Sequence, residues 1–166
     1  MSSPLIQGLP PIIDGGAQSL ILGNMPSVLS LGAQEYYANP RNAFWRITGD
    51  IFGFDASAPY DVRTAALMAH GIAVWDVLRL CRRAGSLDSA VEPDSMVAND
   101  FGQLFERHPD ITRVFFNGAA AEKNFNRLVR VAPDLAYRRL PSTSPAQTMR
   151  YTDKLAAWRE AITARQ

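Results

Sequence analysis

The stretch Ser19-Leu-Ile-Leu22, halted by Gly23 and followed by Asn24-Met25-Pro26-Ser27, decides the fold. A short run of this kind, with no polar alternation and a glycine at its end, reads as a strand buried on both faces. Three more segments read the same way. Residues 72–78 (Ile-Ala-Val-Trp-Asp-Val-Leu) are interrupted only by Asp76, residues 113–116 close on Asn117-Gly118, and residues 135–140 give the weakest signal. Helical patterns lie between them: residues 43–52, with Phe44, Ile47 and Ile51 on one face; 61–70, ending at Gly71; a helix capped by Asn99 or Asp100 and stopped by Pro109; 119–131; and about 147–164. Strands alternating with helices predict an α/β domain, a three-layer sandwich with a central four-stranded parallel sheet and right-handed crossovers. Ligands of such sheets bind beyond the carboxyl ends of the strands. The segments there are 23–42, 76–79, 117–118 and 141–147. Of the remainder, 1–17 reads as an extended lead-in rich in proline and glycine, 23–42 as loop, and 79–98 as mixed loop and short helix.

The composition fits that reading. The chain has 166 residues, 47% of them apolar and 20% charged, enough for a single domain (1–166) and unlike a disordered sequence. The net charge of +1 excludes a histone-like basic protein but leaves room for a local basic face. One cysteine, Cys81, allows no internal disulfide and no cysteine-cluster metal site, and two histidines are too few for a histidine-built zinc site. No apolar run approaches the roughly 20 residues that span a bilayer, and the first residues lack a basic segment followed by an apolar one. The expectation is a soluble, cytoplasmic chain with no membrane association, no metal and no organic cofactor.

The predicted ligand-binding end carries unusual motifs. After the first strand come Gly23-Asn-Met-Pro-Ser27, Tyr36-Tyr-Ala-Asn-Pro40 and Asn42-Ala-Phe-Trp45; after the fourth comes Leu140-Pro-Ser-Thr-Ser-Pro-Ala146. These segments resemble the two signature motifs of the uracil-DNA glycosylase superfamily. Mismatch-specific members carry Gly-x-Asn-Pro-Gly, an aromatic and Asn-x-Phe-Trp, and the 16 positions from Pro26 to Asn42 match that spacing. The hypoxanthine (deoxyinosine) DNA glycosylase family is more similar still. Besides these motifs it shares Gly-Ile-Ala-x-Trp-Asp-Val and Gly-Ser-Leu-Asp-Ser, so that five motifs match in order from residue 19 to about 150. The resemblance implies the uracil-DNA glycosylase fold and excision of a deaminated base, hypoxanthine and also uracil, from DNA.

One position departs from the mismatch branch, which has a catalytic asparagine where this chain has Met25. A thioether neither donates to a water nor acts as a base. The resemblance moves that role to Asn42, with Asn39 as the other candidate. Glycosidic cleavage builds positive charge on the sugar and negative charge on the departing base, so it calls for donors aimed at the base and a held water. Backbone groups of Gly23, Asn24 and Met25 can serve the base oxygen, and Asp76 can accept from a ring N–H. Tyr37 occupies the position of the stacking aromatic. By analogy, the loop Pro141, Ser142, Thr143, Ser144 and Pro145 contacts phosphates and enters the minor groove, with Arg138, Arg139 and Arg150 flanking it.

Each residue also has a plain structural reading. Asn42 can cap the following helix, Tyr36 and Tyr37 can anchor a loop, Asp76 can pair with an arginine, and the serines and threonine can form a turn. Asn117-Gly118 reads as a turn, and Asp88 has no evident role. The absence of a lysine from both motif loops favours a water nucleophile over a Schiff base, acting in a monomer whose partner is DNA containing deaminated bases. Two alternatives stand beside this reading: a mismatch-type uracil-DNA glycosylase and a catalytically inactive DNA-binding module. No Gly-x-Ser-x-Gly elbow and no Gly-x-Gly-x-x-Gly fingerprint supports a hydrolase or dinucleotide-binding reading.

Overall fold

Alternation along the buried strands divides the interior into two cores. The structure is a computed structural model and describes residues 3–130 and 133–164. Strands β2 (Ser19–Gly23), β3 (Ile72–Asp76), β6 (Arg113–Asn117) and β7 (Ala136–Leu140) form the central sheet in the order β3-β2-β6-β7, with all pairings parallel. Leu20, Leu22, Ala73, Val114 and Phe116 point to one face, where α4 (Phe101–Arg107) and α5 (Ala119–Leu128) pack. Ile21, Ile72, Val74 and Phe115 point to the other, covered by α2 (Phe44–Phe52), α3 (Tyr60–Ala69) and α6 (Tyr151–Thr163). This is the expected three-layer sandwich with four parallel strands. Leu20, Ile21, Leu22 and Val74 are wholly buried, and each such side chain contributes about 1.5–3 kcal/mol.

The structure corrects several local expectations. The segment read as loop holds α1 (Val28–Ala33), capped by the Ser27 hydroxyl and ended by Gln34 in the left-handed region. Val28 and Leu29 are largely exposed, so the helix presents no apolar stripe to the core and no period to detect. The run 72–78 is not one strand. It breaks at Val77, whose N–H donates to Gly23 O, and β4 (Leu78–Arg82) joins a second, antiparallel sheet in the order β1-β4-β5, with β1 (Leu5–Gln7) and β5 (Val97–Ala98). The lead-in is thus extended but paired, and the mixed segment contains strands. The last helix begins at Tyr151 rather than near Gln147. Helix α5 ends at Leu128, and Val131, its predicted last residue, lies outside the described residues. Among the described residues no helix is long and apolar enough to cross a membrane.

The chain runs from β2 to β3 on one side and then to β6 on the other. That reversal of strand order leaves a crevice at the carboxyl end of β2, the topological switch point of an open sheet.

Candidate active site

At that crevice lies a cleft of about 720 Å³. Gly23 and Asn24 enter it from the end of β2, Asp76 from β3, Asn117 from β6, and Ser142–Pro145 from the loop after β7. Met25, Tyr37, Asn39, Arg41 and Asn42 line it from the long segment after β2, and Leu87 and Asp88 from the turn after β4. Of the residues predicted from sequence, Pro141 and the flanking Arg138, Arg139 and Arg150 stay outside: Pro141 sits at the base of its loop, and its carbonyl accepts from Trp158 Nε1 at 2.8 Å.

Asn42 combines a contact at the start of α2 with a place on the cleft wall. Its Oδ1 accepts from Phe44 N at 2.9 Å, which caps the start of α2, while its side chain remains on the cleft wall. A carbonyl oxygen has a second lone pair, so capping leaves one acceptor site for a water. Asn39 is built similarly, with Oδ1 accepting from Arg41 N at 2.9 Å. Tyr36 is a buried anchor whose hydroxyl donates to the carbonyls of Leu9 and Pro10. Tyr37 has φ 56°, a conformation that disfavours side chains by roughly 1–2 kcal/mol. One face of its ring stacks on Phe44, with centroids 4.1 Å apart. Burial, then the nearby Asp76 carboxyl, pushes its hydroxyl well above the ordinary phenol range.

The loop after β7 is stitched down rather than free. Thr143 is buried; its N–H donates to Asn117 Oδ1 at 2.9 Å, its hydroxyl accepts from Asn117 Nδ2 at 3.0 Å, and its carbonyl accepts from Ala43 N. Asn117 Nδ2 also donates to the Tyr37 hydroxyl at 3.1 Å. One side chain that looked like part of a turn therefore joins both motif loops. Beneath the loop, buried Lys154 donates to the carbonyls of Ser144 (3.2 Å) and Gln147 (2.8 Å). The expected helix N-terminus is not at this loop, because α6 starts only at Tyr151. Arg138, Arg139 and Arg150 pair at the surface with Glu160, Glu122 and Asp153. Arg41 is the cation that lines the cleft among the described residues.

Two carboxyls line the cleft, Asp76 buried and Asp88 exposed. Asn24 accepts from Asn124 Nδ2 at 2.8 Å and donates to Asp88 Oδ1 at 3.1 Å, so its amide is a strut and Asp88 acquires a place. Arg83, buried at the end of β4, donates to Gly85 O and Pro26 O, while its Nη1 has no partner. Asp76 is 4% exposed and its Oδ2 has no hydrogen-bond partner. A Cβ on residue 23 would overlap Asp76 Oδ1 and crowd the Tyr37 hydroxyl, so only glycine lets the carboxyl lie against the strand end.

Burial, reinforced by the Asp88 charge and opposed by Arg83, pushes the Asp76 carboxyl up to about 7. Between about pH 4 and pH 7 the folded chain therefore holds a proton that the unfolded chain has released. Stability falls as pH rises through that window and stays at the lower level above it. Asp76→Asn removes the loss. At pH 8 the variant should melt several degrees above the parent, with about 4 kcal/mol as the ceiling; at pH 4 the two should melt alike. A parent more stable than the variant at pH 8 would show that the carboxylate is well accommodated.

Taken together, the fold and the cleft define an α/β protein with a polar-floored crevice at the switch point of a parallel sheet. The chain belongs to the Uracil DNA glycosylase superfamily, whose family model matches residues 10–164. It is 33% identical over 157 residues to a hypoxanthine DNA glycosylase of Methanosarcina barkeri, covering 94% of this chain and 97% of that one. It is also 33% identical over 159 residues to the hypoxanthine DNA glycosylase of Methanosarcina acetivorans, at 94% and 96% coverage. A solution NMR structure from M. acetivorans, described as a candidate uracil DNA glycosylase, superimposes with a TM-score of 0.81 at 32% identity, covering 94% of this chain and 95% of that one.

Proposed function

We propose that this chain is a monofunctional DNA base-excision enzyme that draws a deaminated base, hypoxanthine foremost and uracil next, out of the helix and hydrolyses its glycosidic bond. The observation that carries the reading is convergence: Tyr37, Asn39, Asn42, Asp76 and the loop 142–145 line one opening. The two relatives named hypoxanthine DNA glycosylase match almost end to end, which favours the purine.

In this reading the extruded base enters the cleft beside Tyr37, at an unstacking cost of a few kcal/mol. Asn42 holds a water against the sugar carbon with its free acceptor site, and Asn39 is the second candidate for that role. Backbone groups at Gly23, Asn24 and Met25 face the base oxygen. Ser142 and Ser144 offer hydroxyls to the DNA backbone, and Arg41 adds charge at the rim. The water supplies the nucleophile, so the reaction calls for no cofactor, and the product is an abasic site. Water as nucleophile also suits the lysines, since Lys154 is engaged with two carbonyls and Lys123 is exposed on α5. We take the acting species to be a monomer.

The test is base release from duplexes carrying one deoxyinosine or one deoxyuridine, read out by alkaline strand cleavage. Cleavage at deoxyinosine is expected. Cleavage at deoxyuridine alone would make the protein a mismatch-type enzyme, and binding without cleavage would make it an inactive module. Binding should also fall roughly tenfold between 50 and 200 mM salt, the loss expected for about two neutralised phosphates. Salt-insensitive binding would contradict a DNA substrate.

A further inference from the structure

The Asp76 carboxyl lines the cleft but takes no part in the base-excision steps proposed above. It is 4% exposed, lines the cleft, and no hydrogen bond reaches it from the described residues. Arg83 directs Nε and Nη2 to two carbonyls, and its unpartnered Nη1 makes no hydrogen bond to the carboxyl. A carboxylate this buried, with no donor from the described residues on it, is poorly stabilised, so the site favours the neutral acid. The groups that bear on it act together. Asp88, held by Asn24 from the turn after β4, opposes a second negative charge; Tyr36 and Tyr37 are kept neutral by burial; only Arg83 pulls the other way. A neutral carboxyl has a proton to give.

We infer that Asp76 is a general acid that protonates a ring nitrogen of the departing purine. Purines carry basic ring nitrogens, N7 and N3, conjugated with the glycosidic nitrogen N9. As the bond from C1′ to N9 breaks, its electron pair passes into the ring, and the Asp76 proton moves to that nitrogen. The base then leaves as neutral hypoxanthine. Water adds to C1′ and releases a proton, which restores the acid, so the sum is hydrolysis and no other reactant is consumed. The acid is a source of purine preference, because the one ring nitrogen of uracil outside the glycosidic bond already carries a proton and is not basic. This inference rests on the base-excision reading and deepens it.

The experiment measures single-turnover base release by the wild type and Asp76→Asn on deoxyinosine, 7-deaza-deoxyinosine and 3-deaza-deoxyinosine duplexes, from pH 5 to 9. The amide keeps the shape and carries no buried charge, and thermal melts confirm that the variant is folded. On deoxyinosine the variant should be 10²- to 10⁴-fold slower, the usual contribution of a general acid. The wild-type rate should fall about tenfold per pH unit on the alkaline side, and the variant should lose that dependence. One of the two deaza substitutions should slow the wild type strongly and the variant hardly at all, which identifies the nitrogen. Equal slowing of both proteins by each deaza base, or a variant as fast as the wild type, overturns the inference. No release from deoxyinosine by the wild type would instead overturn the base-excision reading beneath it.

Discussion

Asn42→Ala is expected to lose 10²- to 10⁴-fold in single-turnover base release while binding abasic-site DNA within a few-fold of the wild type. The argument starts from what the side chain does in the folded protein. Its Oδ1 already accepts from Phe44 N, and the residue lines a cleft that Asn39, Tyr37 and Asp76 also line. Under the proposed function, removing it deletes the acceptor assigned to the water, and general-base-like positioning contributes about 3–5 kcal/mol. It also removes a helix cap worth about 1 kcal/mol. The two effects separate by measurement, because the cap appears in the melting temperature and the water in the rate. Asn42→Asp restores the cap and the acceptor and should recover more activity than alanine. If Asn39→Ala is the inactive protein and Asn42→Ala is not, the water belongs to Asn39.

The particular residues show why some of this was readable in the chain and some was not. Strands buried on both faces have to be apolar runs, so residues 19–22 and 113–116 announce themselves. Leu78–Arg82 is half-exposed and carries arginines, so its pairing with β1 and β5 left no periodic mark. At the site, the motif loops were legible because short-range turn chemistry and order along the chain define them. The struts were not. Asn124 reaches Asn24 across 100 positions, and Asn117 reaches Tyr37 across 80, contacts that exist only once the sheet has formed. Asp88 had no role in the sequence for the same reason. Burial of charge was equally hidden: Lys154 lies on a helix that also carries Asp153, Arg159 and Glu160, and Arg83 stands beside another arginine, yet both are buried. A polar residue between two apolar stretches signals only that it is polar. Its partners decide whether it is a surface group or a structural one.

Asn117→Ala should be the most damaging single change to the architecture of the site. The asparagine makes three hydrogen bonds, two to Thr143 and one to Tyr37, at 2.9–3.1 Å. Alanine leaves a buried backbone N–H and a buried hydroxyl at Thr143 without those partners, at about 1–3 kcal/mol for each group stranded. A total of roughly 2–4 kcal/mol corresponds to a melting temperature lower by about 5–15 °C in a domain of this size. The loss should not stop at stability. Asn117 connects the loop after β7 with Tyr37, the parts that the proposed function assigns to the DNA backbone and the base, and Thr143 O in turn holds Ala43 N at the start of α2, one residue from Asn42. Loosening that joint lets two parts of the machinery move independently, and displacements near 1 Å are enough to cost 10²-fold in rate. Asn117→Asp sharpens the test. It preserves the acceptor for Thr143 N but surrenders both donors and sets a carboxylate in the cleft that Asp76 lines, so it should recover part of the stability and little of the activity. An alanine variant that melts within 2 °C of the wild type would show that the loops hold their positions without this residue.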